Sequence, residues 1–421
     1  MPAARFTKLP NGLRILGVPM AGTESATVLA IAKVGSRYER TSEQGLSHFL
    51  EHMLFKGTQK WPTAKDLSQT LDGVGADYNA FTSKDHTGYY VKVAARHLPL
   101  ALDVVSDMIW RPKLDGKELT REKKVICEEI KMYQDNPMMH IGDLLESAVF
   151  QGSSLGVNIA GSIRSVMELT RAQVAGYHQK HYVPKNLLVV VAGKLSDATY
   201  RLLRSSFGEK RRGKLGSFAS FRPTQTQPRV AIQKKDTQQV QLALGFPAFG
   251  HRHPNRLGLD LLSVVLGGNM SSRLFMRLRE REGLCYSISA SSDEYEGAGI
   301  FAVQAGLDRA RLPQAIRLVR EELERTVRES VDQAELTKAK EYVKGKLTLA
   351  MENSSAQAQW AANQFLFEHS RESLKDLFAR LDRVGARELQ RAANEVFRFR
   401  RATLALIGPF REAAPWRKLL A

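Results

Sequence analysis

The sequence predicts an α+β fold of two similar tandem domains, each a mostly antiparallel sheet packed with helices, and three observations carry that prediction. Apolar motifs of the first half return in the second at a nearly constant spacing. Each half ends on a short, wholly apolar segment of strand length, NLLVVVAG in one and ATLALIGP in the other. Near the midpoint lies a stretch rich in Gly, Ser and Pro, the composition of a linker. The expected division is an N-terminal domain over 1–215, a linker over 216–230 and a C-terminal domain over 231–421, a length per domain in the usual range.

The elements follow in order. MPAARFTKLPNGLRILGVPM reads as strand, Asn-Gly turn and strand, without the apolar core of a leader peptide, so a cytoplasmic protein is expected. In GLSHFLEHMLFKG, Leu46, Phe49, Leu50 and Met53 recur at helical spacing and form one stripe. Asn79-Ala80-Phe81-Thr82 reads as a strand whose exposed edge could pair with an extended peptide. KELTREKKVICEEIKMYQDNP reads as a charged helix. Leu187 to Ala192 has the length of a buried strand, far short of the roughly 20 apolar residues that cross a bilayer.

The second half repeats this order. Leu46, Leu50, Met53, Leu54 and Gly57 match Leu257, Leu261, Val264, Val265 and Gly268, an offset of 211. Leu98-Pro99 and Ala101 match Leu312-Pro313 and Ala315, and Gly193 matches Gly408, at offsets of 214 and 215. Chance similarity among apolar helices would not hold one offset.

A net charge of +18 admits acidic partners, but the basic residues are mostly dispersed, and their densest cluster, Lys210-Arg211-Arg212-Gly213-Lys214, has no interleaved aromatics. No nucleic acid partner is expected. Cys127 and Cys285, far apart and in no CxxC pair, indicate neither a disulfide framework nor a cysteine metal site.

Residues 48–52, HFLEH, carry the chemistry. His48, Glu51 and His52 lie on the helix face opposite the apolar stripe, and their counterparts in the second half are Leu259, Leu262 and Ser263. The packing stripe is therefore shared, whereas the ionisable trio belongs to the first half alone. Histidines four apart can converge on one ion, and imidazole suits zinc; Glu51 could then reach a water at the metal without being a ligand. The bland alternative is a solvated helix face. A catalytic zinc wants a third protein ligand, and the charged helix offers Glu122, Glu128 and Glu129, with Glu122 and Glu129 seven apart on one face.

These residues resemble the pitrilysin/insulysin-type zinc metallopeptidases, whose signature is HxxEH, in the branch of mitochondrial processing peptidase and its bacterial relatives. GLSHFLEHMLFKGT is similar to the family's zinc helix, NAFTSKDHTGYY to its active-site edge strand, VICEEIKMYQD to its third-ligand helix, and LGGNMSSRLFMRLREREGLCYSI to a second-domain segment. The resemblance implies one Zn2+ per chain on His48, His52 and Glu129, Glu51 as general base, Glu122 as the supporting carboxylate, and Asn79, Ala80 and Phe81 along the substrate. It further implies that Arg279 and Tyr286 reach the substrate from the second domain, that the two domains face each other as a clamshell around peptides or unfolded segments, and that the chain pairs with itself or with a related chain. A non-catalytic structural subunit is the alternative within the same family.

Overall fold

Leu187–Gly193 is apolar on both sides of its backbone because it runs through the middle of a sheet whose two faces are covered. The computed structural model describes residues 4–208, 213 and 216–420; Lys210, Arg211, Arg212 and Lys214 of the basic cluster lie outside them. Six strands form the first sheet: β1 (Arg5–Lys8), β2 (Arg14–Pro19), β3 (Ser25–Ala32), β4 (Asp77–Thr82), β5 (Thr87–Ala94) and β6 (Leu187–Gly193). Their spatial order is β1-β2-β6-β3-β5-β4, which leaves β4 at an edge. β2 and β6 run parallel, and the other neighbours are antiparallel.

Alternation along the strands sorts the core into two layers. Leu187, Val189 and Val191, with Val28, Ala30, Tyr89 and Val91, face the helices Leu46–Leu54 and Leu98–Trp110. Leu188, Val190 and Ala192, with Leu29 and Ile31, face the helix Ser354–Asn363 and the turn after it, through Ala358, Ala361, Ala362, Leu366 and Phe367. Ser354 also bonds the buried Thr27 hydroxyl at 2.8 Å, satisfying a polar group on that apolar face.

The second sheet holds β7 (Arg229–Lys234), β8 (Gln239–Ala248), β9 (Cys285–Tyr295), β10 (Ala298–Asp308) and β11 (Thr403–Gly408), in the order β7-β11-β8-β10-β9 with β7 and β11 parallel. One face is covered by the helix Pro137–Val149, whose Ile141, Leu145 and Val149 meet Ala243, Ile300 and Ile407. On the other, the rings of Phe246 and Phe301 lie 5.6 and 4.8 Å from that of Phe397. Both sheets are thus mixed and helix-covered. Among the described residues no helix is long and apolar enough to cross a membrane, and both cysteines are buried free thiols.

Grouped by contacts, the chain forms two units: Met1–Ile130, Val157–Phe218 and Thr348–Ser373 in one, Lys131–Gly156, Ala219–Leu347 and Leu374–Ala421 in the other. Each half of the sequence therefore lends one helical segment to the sheet of the other half. Hydrophobic periodicity reports that a helix has an apolar face but not which sheet that face will cover.

Leu366 is fully buried beneath the first sheet although it lies far along the chain from the strands it touches. Leu366→Ala should cost about 2–5 kcal/mol, read as a lower urea midpoint at unchanged m-value.

Candidate metal centre

The helix Leu46–Leu54 is held from its first turn. Gly45, at φ +89°, opens it, and a side chain there would meet the Ala160 carbonyl at 2.5 Å, so only glycine fits. Two donors of the first turn, the Gly45 and Ser47 N–H groups, bond the Glu39 carboxylate at 2.9 and 2.6 Å. That carboxylate takes the place of a capping side chain and sits where the helix dipole favours negative charge. Burial nevertheless pushes its pKa up to about 7, against the lowering effect of these bonds. The Ser47 hydroxyl bonds Tyr177 at 2.8 Å, tying the same turn to the helix Arg171–His181. With Phe49, Leu50, Met53 and Leu54 wholly buried, His48, Glu51 and His52 are left on the partly open face.

Glu129 comes from the helix Gly116–Asp135, anchored by its buried Leu119, Ile126 and Ile130. Ligand atoms of His48, His52 and Glu129 lie within 4.8 Å of one another. Glu129 Oε2 is 3.7 Å from His48 Nε2 and 3.6 Å from His52 Nε2. Tetrahedral zinc ligands at about 2.0–2.1 Å from the ion stand roughly 3.4 Å apart, so two imidazoles and a carboxylate at this spacing fit zinc in both geometry and chemistry. Of the other glutamates on this helix, Glu128 is exposed and outside the cluster, while Glu122 is buried and bonds His52 Nδ1 at 3.1 Å. That bond leaves His52 Nε2 turned toward Glu129, the arrangement by which a carboxylate sets the tautomer of a metal-binding imidazole.

Burial sets the electrostatics. It lowers His48 to about 4, helped by the nearby His52, so the imidazole is neutral and its lone pair available at ordinary pH. For Glu122 burial acts upward, but bonds from His52 and Lys56 outweigh it and hold the carboxylate below its usual range. Glu51 is raised: burial and the charge of Glu129 outweigh a hydrogen bond from Thr82 and the attraction of His52.

The remaining expected residues stand as follows. Asn79, Ala80 and Phe81 lie on the edge strand β4; the Ala80 N–H is bonded by the Asn79 side chain at 2.8 Å, and the Phe81 ring packs over Gly88, where a side chain would collide with it at 2.2 Å. In the second unit Tyr286 is 78% exposed, and the Arg279 guanidinium lies 4.6 Å from the ring of Phe275 and 5.3 Å from that of Tyr286. Sequence reasoning gave no part to Lys56, whose Nζ bonds Glu122 at 2.8 Å, to Glu39, or to the Thr82 hydroxyl on Glu51. All three act across elements, where helical or strand periodicity carries no signal.

Similarity to known proteins extends over nearly the whole chain. Residues 18–162 match the family model described as insulinase, peptidase family M16, and residues 168–343 match the M16 inactive domain. A protein named as an uncharacterized zinc protease in Streptomyces coelicolor is 33% identical over 97% of this chain and 90% of its own length. One in Bacillus subtilis bearing the same description is 34% identical over 95% of this chain and 97% of its own. The solved structure of a protease from Helicobacter pylori superposes with a TM-score of 0.90 at 25% identity, covering 97% of this chain and 100% of that one.

The buried histidines make a pH prediction. Burial lowers His48, His86 and His181 each to about 4 from the ordinary 6.5. The unfolded chain therefore takes up protons first as the pH falls, and stability present above about 6.5 is lost on the way to 4. Three buried carboxyls work in the opposite sense: Glu39, raised to about 7, Asp293, raised to about 6, and Glu51, also raised. After chelation of metal, each of the three histidines should contribute a loss of on the order of 1 kcal/mol per pH unit in this window, set against the gain from the carboxyls. Urea midpoints of wild type and His181→Leu measured from pH 7 to 5 check this: the variant should gain stability relative to wild type as the pH falls.

Proposed function

Since the chain belongs to the M16, insulinase-type, peptidase family, we propose that it is a zinc-dependent endopeptidase of the processing-peptidase-like branch. Its substrates are peptides or unfolded polypeptide segments in the cytoplasm. The observation that carries this reading is the convergence of His48, His52 and Glu129 on one point with Glu51 on the same helix face as the two histidines. His48 Nε2, His52 Nε2 and a Glu129 oxygen would hold the ion, and Glu122 with Lys56 would keep His52 aimed. Zinc, when bound, supplies a Lewis acid that polarises a peptide carbonyl and makes water more acidic.

The chain's own residues do the rest. Glu51 takes the proton of the attacking water and passes it to the leaving amine as the C–N bond breaks; its raised proton affinity suits both steps. The extended substrate adds to the free edge of β4 along Asn79, Ala80 and Phe81, with its own carbonyl displacing the Asn79 side chain from the Ala80 N–H. Arg279 and Tyr286 of the second unit donate to the substrate carbonyl and to the charge that develops on its oxygen, consistent with the exposed phenol beside a guanidinium braced by Phe275. A pair of chains, identical or with an inactive sister, is the assembly implied by resemblance.

The reading is tested by metal content and peptide cleavage together. Purified protein should contain about one zinc per chain, lost in the His48→Ala/His52→Ala double variant. Glu51→Gln should keep the zinc and lose about a hundredfold or more in kcat; wild-type cleavage by that variant would remove the assigned base, and a zinc-loaded wild type inert toward every unstructured peptide would favour a structural subunit. Tyr286→Phe should lower kcat/KM by about a hundredfold if its hydroxyl is an oxyanion donor.

A further inference from the structure

A general base must be aimed as well as present, and a glutamate side chain has three rotatable bonds with which to miss. Among the described residues one hydrogen-bond donor holds the Glu51 carboxylate: the Thr82 hydroxyl, 2.5 Å from Oε2. Thr82 is the last residue of β4 and pairs with Thr87 of β5. The bond from Ser83 N–H to the His86 carbonyl closes the hairpin at 2.8 Å. Counting back from that pair, the antiparallel alternation turns the backbone N–H and C=O groups of Thr82, Ala80 and Tyr78 away from β5, toward the free edge. Their side chains stand on the face toward the helix Leu46–Leu54, where the Tyr78 ring stacks on Phe55 at 6.3 Å. Thr82 therefore presents its backbone to the unpaired edge and its hydroxyl to the glutamate.

We propose that Thr82 is a positioning residue, whose hydroxyl fixes the Glu51 carboxylate in its working direction from the strand to which the substrate adds. The inference rests on the reading of Glu51 as the base. It assigns Thr82 no contact with the reacting atoms and no part in holding metal. Without the hydroxyl, Glu51 keeps its chemistry but loses the one donor that holds it among the described residues and swings among rotamers. A misplacement of about 1 Å at a reacting centre costs on the order of a hundredfold in rate.

Three variants of the full chain test this. Thr82→Val, nearly isosteric, should lower kcat by about 10- to 100-fold, with KM within about twofold and zinc content unchanged. Its crystal structure should show the Glu51 carboxylate displaced while His48, His52 and Glu129 stay in place. Thr82→Ser and Thr82→Ala remove the same methyl group and differ only in the hydroxyl, so Ser should stay within about threefold of wild type while Ala falls with Val. This pair decides the matter even if Val disturbs the strand. Wild-type kcat in Thr82→Val, equal losses in Ser and Ala, or loss of zinc in any of them would overturn the proposal. Glu51→Gln separates it from the parent reading: full activity there removes the base itself, whereas an inactive Glu51→Gln beside an unaffected Thr82→Val removes only the positioning role.

Discussion

The site depends on one constraint, that the helix Leu46–Leu54 must not roll about its axis. A turn of about 100° replaces each side chain by its neighbour, and here the neighbours of His48, Glu51 and His52 include Phe49, Leu50 and Met53, which are wholly buried. Rolling would drive imidazoles into the apolar core and expose three large side chains, each with a burial contribution of about 1.5–3 kcal/mol. The first turn is separately pinned by Glu39 and Tyr177. The Glu129 helix can then find two fixed imidazoles instead of a moving target, and a carboxylate beside the two rings becomes a metal cradle.

Much of this was legible in the residues. The HxxEH spacing and the seven-residue step from Glu122 to Glu129 are periodicities within single helices, and both glutamates do reach the histidines. β6 and β11 were visible as apolar runs because both faces of each are covered, leaving no polar alternation to hide them. What could not be read was pairing between distant elements. Nothing local to Lys56 announces that it will meet Glu122, 66 positions on, at 2.8 Å. Glu39 looks like any surface acid until the chain folds it against the Gly45 amide. The exchange of helical segments was equally hidden, since an apolar stripe such as Ile141, Leu145 and Val149 suits either sheet.

The second unit shows why a duplicated helix need not carry a duplicated site. The helix Arg256–Gly267 occupies the place corresponding to Leu46–Leu54, but its Leu259 and Leu262, counterparts of His48 and Glu51, are wholly buried. Gly258 lies so close to the helix Ala386–Val396 that a side chain would meet the Glu388 carbonyl at 2.9 Å, and Gly267 approaches the Ala290 backbone of β9 as tightly. With neighbours this close, the positions equivalent to His48 and Glu51 lie inside the core, where ionisable side chains would be buried at a cost in free energy.

The exchanged segments also bear on how the chain is made. On the ribosome the first sheet is complete in sequence once Gly193 emerges, yet the segment that covers its second face, Thr348–Ser373, is still to be synthesised. At about 5–20 residues per second this is a wait of roughly 8–30 s. Throughout it Leu188, Val190, Leu29 and Ile31 form a bare apolar surface, the kind of patch that chaperones bind and that seeds aggregation. Nascent chains of this protein are therefore expected to lean on holding factors until nearly nine-tenths of the polypeptide exists, and a gene cut at its midpoint would leave neither product able to close its own sheet.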